Sequence, residues 1–226
     1  MSLKTNLVSY WKLNGNSTDS VGGNNGTDLN ITYSAGNGKI KQGAGFNGLT
    51  SNILVGTGLN NAGSFSLSLW LKGGANNLYC FGKGASGDYE YDMFASSNYF
   101  GCTMRQNTDA VYMTITGGSK NIIDGNWHHC VAVYDSTVPS LKVYVDGVLD
   151  GTSTSATGSR VSGGVTPVWI GGRYDSAALW NGAVDECAYW SRVLTKLEVR
   201  QLYNGKSGLS YPFPLKGNSG LLTLKV

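Results

Sequence analysis

Apolar and polar positions alternate with a period of two along most of this chain. That period puts successive side chains on opposite faces of an extended strand. Phe65, Leu67, Leu69 and Leu71 alternate with Ser66, Ser68 and Trp70, which predicts a half-buried strand. Runs at 7–13, 43–46, 53–55, 78–81, 89–94, 99–104, 111–115, 168–170 and 184–190 predict further strands, separated by Gly, Ser and Asn clusters that read as turns. The stretch 124–151 is the most organised. Trp127 to Tyr134 has two apolar alternate sets, Val131 and Val133 against Cys130 and Ala132, so it predicts a central strand covered on both faces. Leu141 to Val145 follows, and the Asp146-Gly147 pair predicts a tight hairpin turn into Val148.

A helical period appears once. Thr195 followed three residues later by Glu198 is a capping box, Leu194 and Val199 form a staple pair, and Gly205 supplies a stop. Many strands and one short helix predict an all-β fold.

Several of these runs carry a family resemblance. The segment Asp124-Gly125-Asn126-Trp127-His128-His129, continued by Leu141 to Gly147, resembles the signature of laminin G-like domains in the concanavalin A-like lectin/glucanase superfamily. The opening at Tyr10 to Ser20, the run Gly43 to Gly48, the strand Phe65 to Leu71, the run Trp180 to Glu186 and the helix start at Leu194 to Glu198 are similar to that family in the same order. The resemblance covers roughly residues 7 to 213 and implies a jelly-roll β-sandwich of two antiparallel sheets with one short helix near the C-terminus. It divides the chain into a sandwich at 1–213 and an apolar tail at 214–226. The tail is expected to serve as an edge strand or as an assembly contact giving a homo-oligomer.

Composition narrows the function classes. The chain has 226 residues, 33 of them Gly, with 13 Tyr and 6 Trp but only 14% charged residues, a mixture suited to short strands and tight turns. A net charge of +3 without a Lys/Arg cluster gives no nucleic-acid stripe. No apolar run reaches the roughly 20 residues of a membrane helix, so membrane insertion is not expected. No signal peptide is visible at the N-terminus, yet related domains mostly act outside cells. The expected location is therefore extracellular or on a particle surface, including a virion. The four cysteines have no CxxC spacing and fall in strand-like runs, which favours buried free thiols over a zinc site.

Four sets of residues are candidates for chemistry. The resemblance implies a structural Ca²⁺ at Asp19, Asn24 and Asp185; in the competing reading Asp19 caps a turn and Asp185 satisfies backbone N–H groups. The run Asp88-Tyr89-Glu90-Tyr91-Asp92 alternates, so its carboxylates are expected on one face. It is similar to the catalytic strand of laminarinase-type glycosidases, where a retaining pair stands about 5–5.5 Å apart. The flanks follow the laminin G type, so Glu90 and Asp92 are expected to contact sugar hydroxyls, and the protein is not expected to be an enzyme. His128 and His129 are adjacent on a strand, point to opposite faces and are read as structural. Trp11, Trp70, Trp127 and Trp190 match buried family positions. Tyr99, Phe100, Tyr112, Tyr174 and Trp180 lie near loops and are candidates for exposure. Arg173, Tyr174 and Asp175, with Trp180 and Asn181, are expected to form a rim contact for a ligand. The predicted function is non-catalytic recognition of a glycan or a cell-surface protein. The alternative is a decoration or tail protein of a phage particle, and a third reading is a laminarinase-like hydrolase.

Overall fold

The computed structural model describes residues 2–73, 78–85, 88–106, 111–154, 160, 162–173, 175 and 178–214. The strands are β1 (Leu7–Trp11), β2 (Thr27–Leu29), β3 (Thr32–Ser34), β4 (Gly43–Asn47), β5 (Asn52–Gly56), β6 (Phe65–Gly73), β7 (Leu78–Ala85), β8 (Asp88–Ser96), β9 (Tyr99–Gln106), β10 (Val111–Ile115), β11 (His128–Asp135), β12 (Ser140–Val145), β13 (Val148–Ser153), β14 (Val168–Ile170) and β15 (Asn181–Trp190), followed by helix α1 (Lys196–Tyr203). They form two antiparallel sheets. An eight-stranded sheet runs β13-β12-β11-β6-β15-β4-β3, with β1 also paired to β15, and a seven-stranded sheet runs β10-β9-β8-β7-β14-β5-β2. The chain crosses repeatedly between the sheets, while β7 to β10 and β11 to β13 each run as a meander within one sheet.

The two inner faces make the main core. Phe65, Leu67, Leu69 and Leu71 from β6 meet Tyr91, Met93 and Ala95 from β8, with Cys130 and Ala132 from β11 and Val184 and Cys187 from β15. All four cysteines are buried free thiols, and burial raises each thiol pKa. A second apolar layer covers the outer face of the eight-stranded sheet. There Val131, Val133, Tyr144, Ala188 and Trp190 pack under Leu3, Leu194, Val199, Leu202 and Phe213. Strand β11 is therefore apolar on both faces, as its sequence predicts. The prediction of a half-buried β6 needs correcting: Ser66 and Ser68 are as buried as the leucines. Their hydroxyls are satisfied inside, Ser66 donating to the Arg192 carbonyl at 2.8 Å and Ser68 meeting the His129 ring at 2.8 Å.

The predicted turn and helix form as expected. Asp146 and Gly147 take φ of 52° and 77°, the left-handed pair of a tight hairpin. At α1 the Thr195 hydroxyl accepts from the Glu198 N–H and the Glu198 carboxylate accepts from the Thr195 N–H. The same carboxylate holds Arg192 through two bonds of 2.8 Å. Asn204 (φ 49°) and Gly205 (φ 57°) end the helix. Edge strands β2 and β3 lie in a polar stretch that shows no alternation. Of the C-terminal tail expected to mediate assembly, residues 215–226 lie outside the described residues. Just before it, Tyr211 and Phe213 pack on Tyr10, and Phe213 also stacks on Trp190.

Candidate functional site

Helix α1 and the terminal segments cover one sheet only. The outer face of the seven-stranded sheet has no such cover among the described residues, yet β8 is aromatic on both sides. Tyr91 and Met93 point into the core, and Tyr89 and Phe94 point out. The outward rings join into a network. Tyr79 lies 6.1 Å from Tyr89, 6.0 Å from Phe94 and 5.9 Å from Trp169, and Tyr89 lies 6.2 Å from Tyr112. Tyr79, Tyr89, Phe94 and Tyr112 are each half-buried, with one side of the network open to solvent.

Two glycines let the rings lie flat on the sheet. A Cβ at Gly82 would meet the Trp169 ring at 2.6 Å, and one at Gly101 would meet Phe94 at 2.4 Å. The Trp169 indole also donates to the Gly84 carbonyl at 2.9 Å. Arg173 anchors the centre. Its guanidinium sits 5.0 Å from the Tyr79 ring and 5.4 Å from the Tyr89 ring, donates to the Tyr89 hydroxyl, and is bonded to Asp175 at 3.1 Å. A desolvated cation over a ring contributes about 2 kcal/mol, enough to hold both rings in place. Thr103 and Thr114 flank the rings and meet through their hydroxyls at 3.4 Å.

The expected site residues divide among four places. Arg173 and Asp175 stand at this face, although Arg173 supports the rings from beneath and is 7% exposed. Tyr174 lies outside the described residues. Asp92 is on the same face but is 1% exposed, with its carboxylate accepting from the Thr103 N–H at 3.2 Å. Burial raises its pKa to about 7, against the lowering effect of that N–H and of Arg173. Glu90 does not share the face, which corrects the alternation expected for 88–92. A bulge opposes Lys83 and Gly84 to Tyr91 and Tyr89, leaving Glu90 as the extra residue. Glu90 turns to the end of the sandwich, where it pairs with the fully buried Lys83 at 2.7 Å, accepts from the Gly164 N–H at 2.8 Å and lies 3.9 Å from Arg160. Glu90 and Asp92 thus cannot act across one substrate. Trp180 and Phe100, expected near the surface, are fully buried in the core. Asn181 is exposed, but on the other sheet, in a cleft of about 570 Å³.

The two carboxylates among the metal candidates are engaged by backbone N–H groups. Asp19 accepts N–H bonds from Tyr10, Val21, Gly22 and Asn24, all between 2.9 and 3.1 Å. The Asn24 carbonyl accepts from the Trp11 indole at 2.8 Å, and its side-chain amide donates to Ser9 at 2.7 Å. Asp185 is distant from this loop in the hydrogen-bond network. It accepts from the N–H groups of Lys39, Ile40 and Glu186 at 2.8, 2.8 and 2.9 Å. A shell of N–H donors presents positive charge where a cation would sit, so Asp19, Asn24 and Asp185 as arranged do not fit a Ca²⁺ ion. Among the described residues no group of three His, Cys, Asp or Glu side chains is placed to hold a metal.

The histidines are structural, as read from their alternation. Both ring nitrogens of His128 meet carboxylates, Asp146 at 2.9 Å and Asp124 at 3.0 Å. Burial works against its charge, but the two carboxylates outweigh it and raise the pKa. His129 is buried on the opposite face against Trp70 and Tyr203, and burial lowers its pKa to about 3.

The reading from sequence missed Tyr79, Tyr89, Phe94 and Trp169. A signal was present: Leu78 to Phe81 in β7 and Val168 to Ile170 in β14 are apolar on both alternate sets, and the sequence predicts one helix to cover an outer face. One of the two sheets therefore had to show aromatic surface.

Comparison with known proteins places this architecture. No curated protein matches the sequence. Among solved structures, domain 4 of AbnA, a GH43 extracellular arabinanase from Geobacillus stearothermophilus, solved with arabinotriose, superposes with a TM-score of 0.65 at 24% identity, covering 86% of this chain and 97% of that one. The binding domain of Paraclostridial Mosquitocidal Protein 1 gives 0.66 at 16% identity over 91% of this chain, and the binding domain of botulinum neurotoxin serotype D gives 0.63 at 16% over 89%. The chain spans about half the length of these two toxin domains, 53% and 52%. At these identities the likeness is one of fold. The sequence itself matches the laminin G-like family model of the concanavalin A-like lectin/glucanases superfamily over residues 46–200, more than half of the chain. With the two antiparallel sheets and their order, this shows that the chain belongs to the concanavalin A-like lectin/glucanases superfamily, as a laminin G-like domain.

Proposed function

We propose that this domain is a non-catalytic carbohydrate-recognition module that binds glycan chains on the outer face of its seven-stranded sheet. The observation that carries the reading is the network of half-buried rings Tyr79, Tyr89, Phe94 and Tyr112, held by Arg173 and Trp169 on rigid strands. Sugar CH faces stack on such rings, and Thr103 and Thr114 offer hydroxyls beside them. The rings are already locked together, so little side-chain entropy remains to be lost on binding. The arabinotriose in the arabinanase domain of like fold supports a saccharide over a peptide. Hydrolysis is disfavoured because the bulge sends Glu90 and Asp92 to opposite sides of the sheet.

The test is a titration of linear oligosaccharides of arabinose, glucose and xylose against the wild type, Tyr112→Ala and Phe94→Ala. At least one series is expected to bind the wild type and to lose about tenfold or more in affinity in each variant, with melting temperatures near wild type; base-like stacking on an aromatic ring is worth about 1–3 kcal/mol. Binding unchanged in both variants would overturn the placement, and release of reducing sugar by the wild type would overturn the non-catalytic reading.

A further inference from the structure

We propose a second saccharide site, chemically distinct from the first, in the cleft on the outer face of the eight-stranded sheet, selective for a terminal sugar unit bearing one carboxylate. The second apolar layer covers this sheet only beneath α1 and the terminal segments. At β3, β4, the start of β15 and the end of β6 it is absent, and the cleft of about 570 Å³ opens there. That volume falls in the range of about 300–1,000 Å³ of small-molecule sites.

The floor is built from backbone and small side chains. Gly45 pairs with Ala183, and Ala183 pairs with Lys72, so the three form one row across β4, β15 and β6. A Cβ at Gly45 would strike the Asn37 amide at 2.2 Å, so the glycine is what leaves room between the floor and that wall.

The walls sort into residues that shape the cleft and residues free to bind. Asn47 is spent on its own turn, accepting from Leu49, Thr50 and Ser51. Asn37 donates to the Thr32 carbonyl at 3.1 Å, which fixes its amide and leaves its oxygen available as an acceptor. Among the described residues, Lys72 and Asn181 make no side-chain hydrogen bond or ion pair, and the Thr32 hydroxyl is also uncommitted. The cleft thus presents an ammonium without a counter-charge, an amide with both functions free, a carbonyl oxygen and a hydroxyl. Amides and hydroxyls in this setting read sugar hydroxyls, and the unpaired ammonium calls for an anion.

Among the described residues no aromatic ring is exposed in the cleft, since Phe46 turns its side chain into the core. Recognition here rests on hydrogen bonds and one charge, not on stacking. A concave site of that kind takes the end of a chain, whereas the flat ring face takes its length. The two sites lie on opposite sides of the sandwich, so one domain can engage two chains at once.

The test titrates methyl glucuronide and methyl galacturonide, with methyl glucoside as the uncharged control, into wild type, Lys72→Met, Asn181→Ala and Tyr112→Ala. Lys72 and Asn181 lie outside the core, and melting temperatures verify that each variant folds. Uronide binding is expected in the wild type and in Tyr112→Ala. It should weaken by about tenfold or more in Lys72→Met, the effect of losing a charge-assisted hydrogen bond, and should also weaken in Asn181→Ala. Binding of none of the sugars, equal binding of glucoside and uronide, or uronide binding that Tyr112→Ala removes and Lys72→Met does not, would each overturn the proposal. Failure of the linear oligosaccharides to bind the ring face would leave these outcomes unaffected.

Discussion

Asp19 shows how one residue type serves two readings that sequence leaves open. Its carboxylate collects four backbone N–H groups from β1 and the following loop, so it organises the chain at the start of the sandwich. Hydrogen bonds to a charged group contribute about 1.5–3 kcal/mol each, and a loop freed of its acceptor regains part of this from water. Asp19→Ala is expected to cost about 3 kcal/mol in chemical denaturation, while excess chelator leaves the wild-type melting temperature unchanged. A fall in melting temperature with chelator would show a bound cation instead.

Asp185 and Glu186 form a second acidic feature, deeply buried. Burial pushes Asp185 up to about 8, reinforced by the neighbouring Glu186, and pushes Glu186 up to about 7. The three amides on Asp185 and the Tyr10 hydroxyl donating to Glu186 oppose the rise without cancelling it. Asp92 at about 7 and the raised His128 act in the same direction. Each of these groups holds its proton more tightly when folded. The folded state therefore binds more protons than the unfolded chain, and stability falls as pH rises through these values. His129, at about 3, is neutral in both states above its ordinary 6.5 and does not oppose the trend. The melting temperature is expected to drop between pH 6.5 and 8, and Glu186→Gln should flatten the drop. A melting temperature that rises over this window would contradict the assignment.

At the scale of elements, the outer face of the second sheet depends on where strands depart from regular alternation. The bulge in β8 swings Glu90 inward and leaves Tyr89 on the ring face, and glycines in β7 and β9 give Trp169 and Phe94 a flat seat. A methyl group at Gly82 would lie 2.6 Å from the Trp169 ring and 2.7 Å from the Tyr91 carbonyl. Gly82→Ala is expected to destabilise by about 1–3 kcal/mol, as overpacking does, and to shift tryptophan emission to longer wavelength as the ring lifts from the sheet. Unchanged emission and stability would mean that the glycine is not needed for the seat. Pattern reading reached most of these strands, the central place of β11, the Asp146-Gly147 turn and the capping box at Thr195, because each follows from local periodicity or local turn chemistry. It missed β2 and β3, which are short, polar and held by pairing with β5 and β4. It also misjudged β6, whose serines are buried by bonds to Arg192 and His129 that lie far away in sequence.

At the scale of the whole molecule, the fold was more legible than the site. The laminin G-like motifs, each weak alone, fixed the two-sheet sandwich together. Of the expected contact residues, Arg173 and Asp175 do stand at the ring face. Trp180 sits in the core, Glu90 at the end of the sandwich and Asn181 on the far sheet. The reason is physical: strand-to-strand register and the coverage of each face decide which residues meet, and neither is encoded in any single segment. What the described residues show is an imbalance, one α-helix for two outer faces. The consequence is an aromatic surface on the sheet left open.

The most direct measurement is amide chemical-shift mapping of the isotope-labelled protein during titration with the oligosaccharide that binds best. The expected result is saturable shifts concentrated at β7, β8, β9 and β10, around Tyr79, Tyr89, Phe94, Thr103 and Tyr112. These shifts should disappear in Tyr112→Ala and Phe94→Ala at the same ligand concentration. Saturable binding with shifts elsewhere, or no shift with any linear oligosaccharide of the panel, would contradict the ring face as the glycan-binding site.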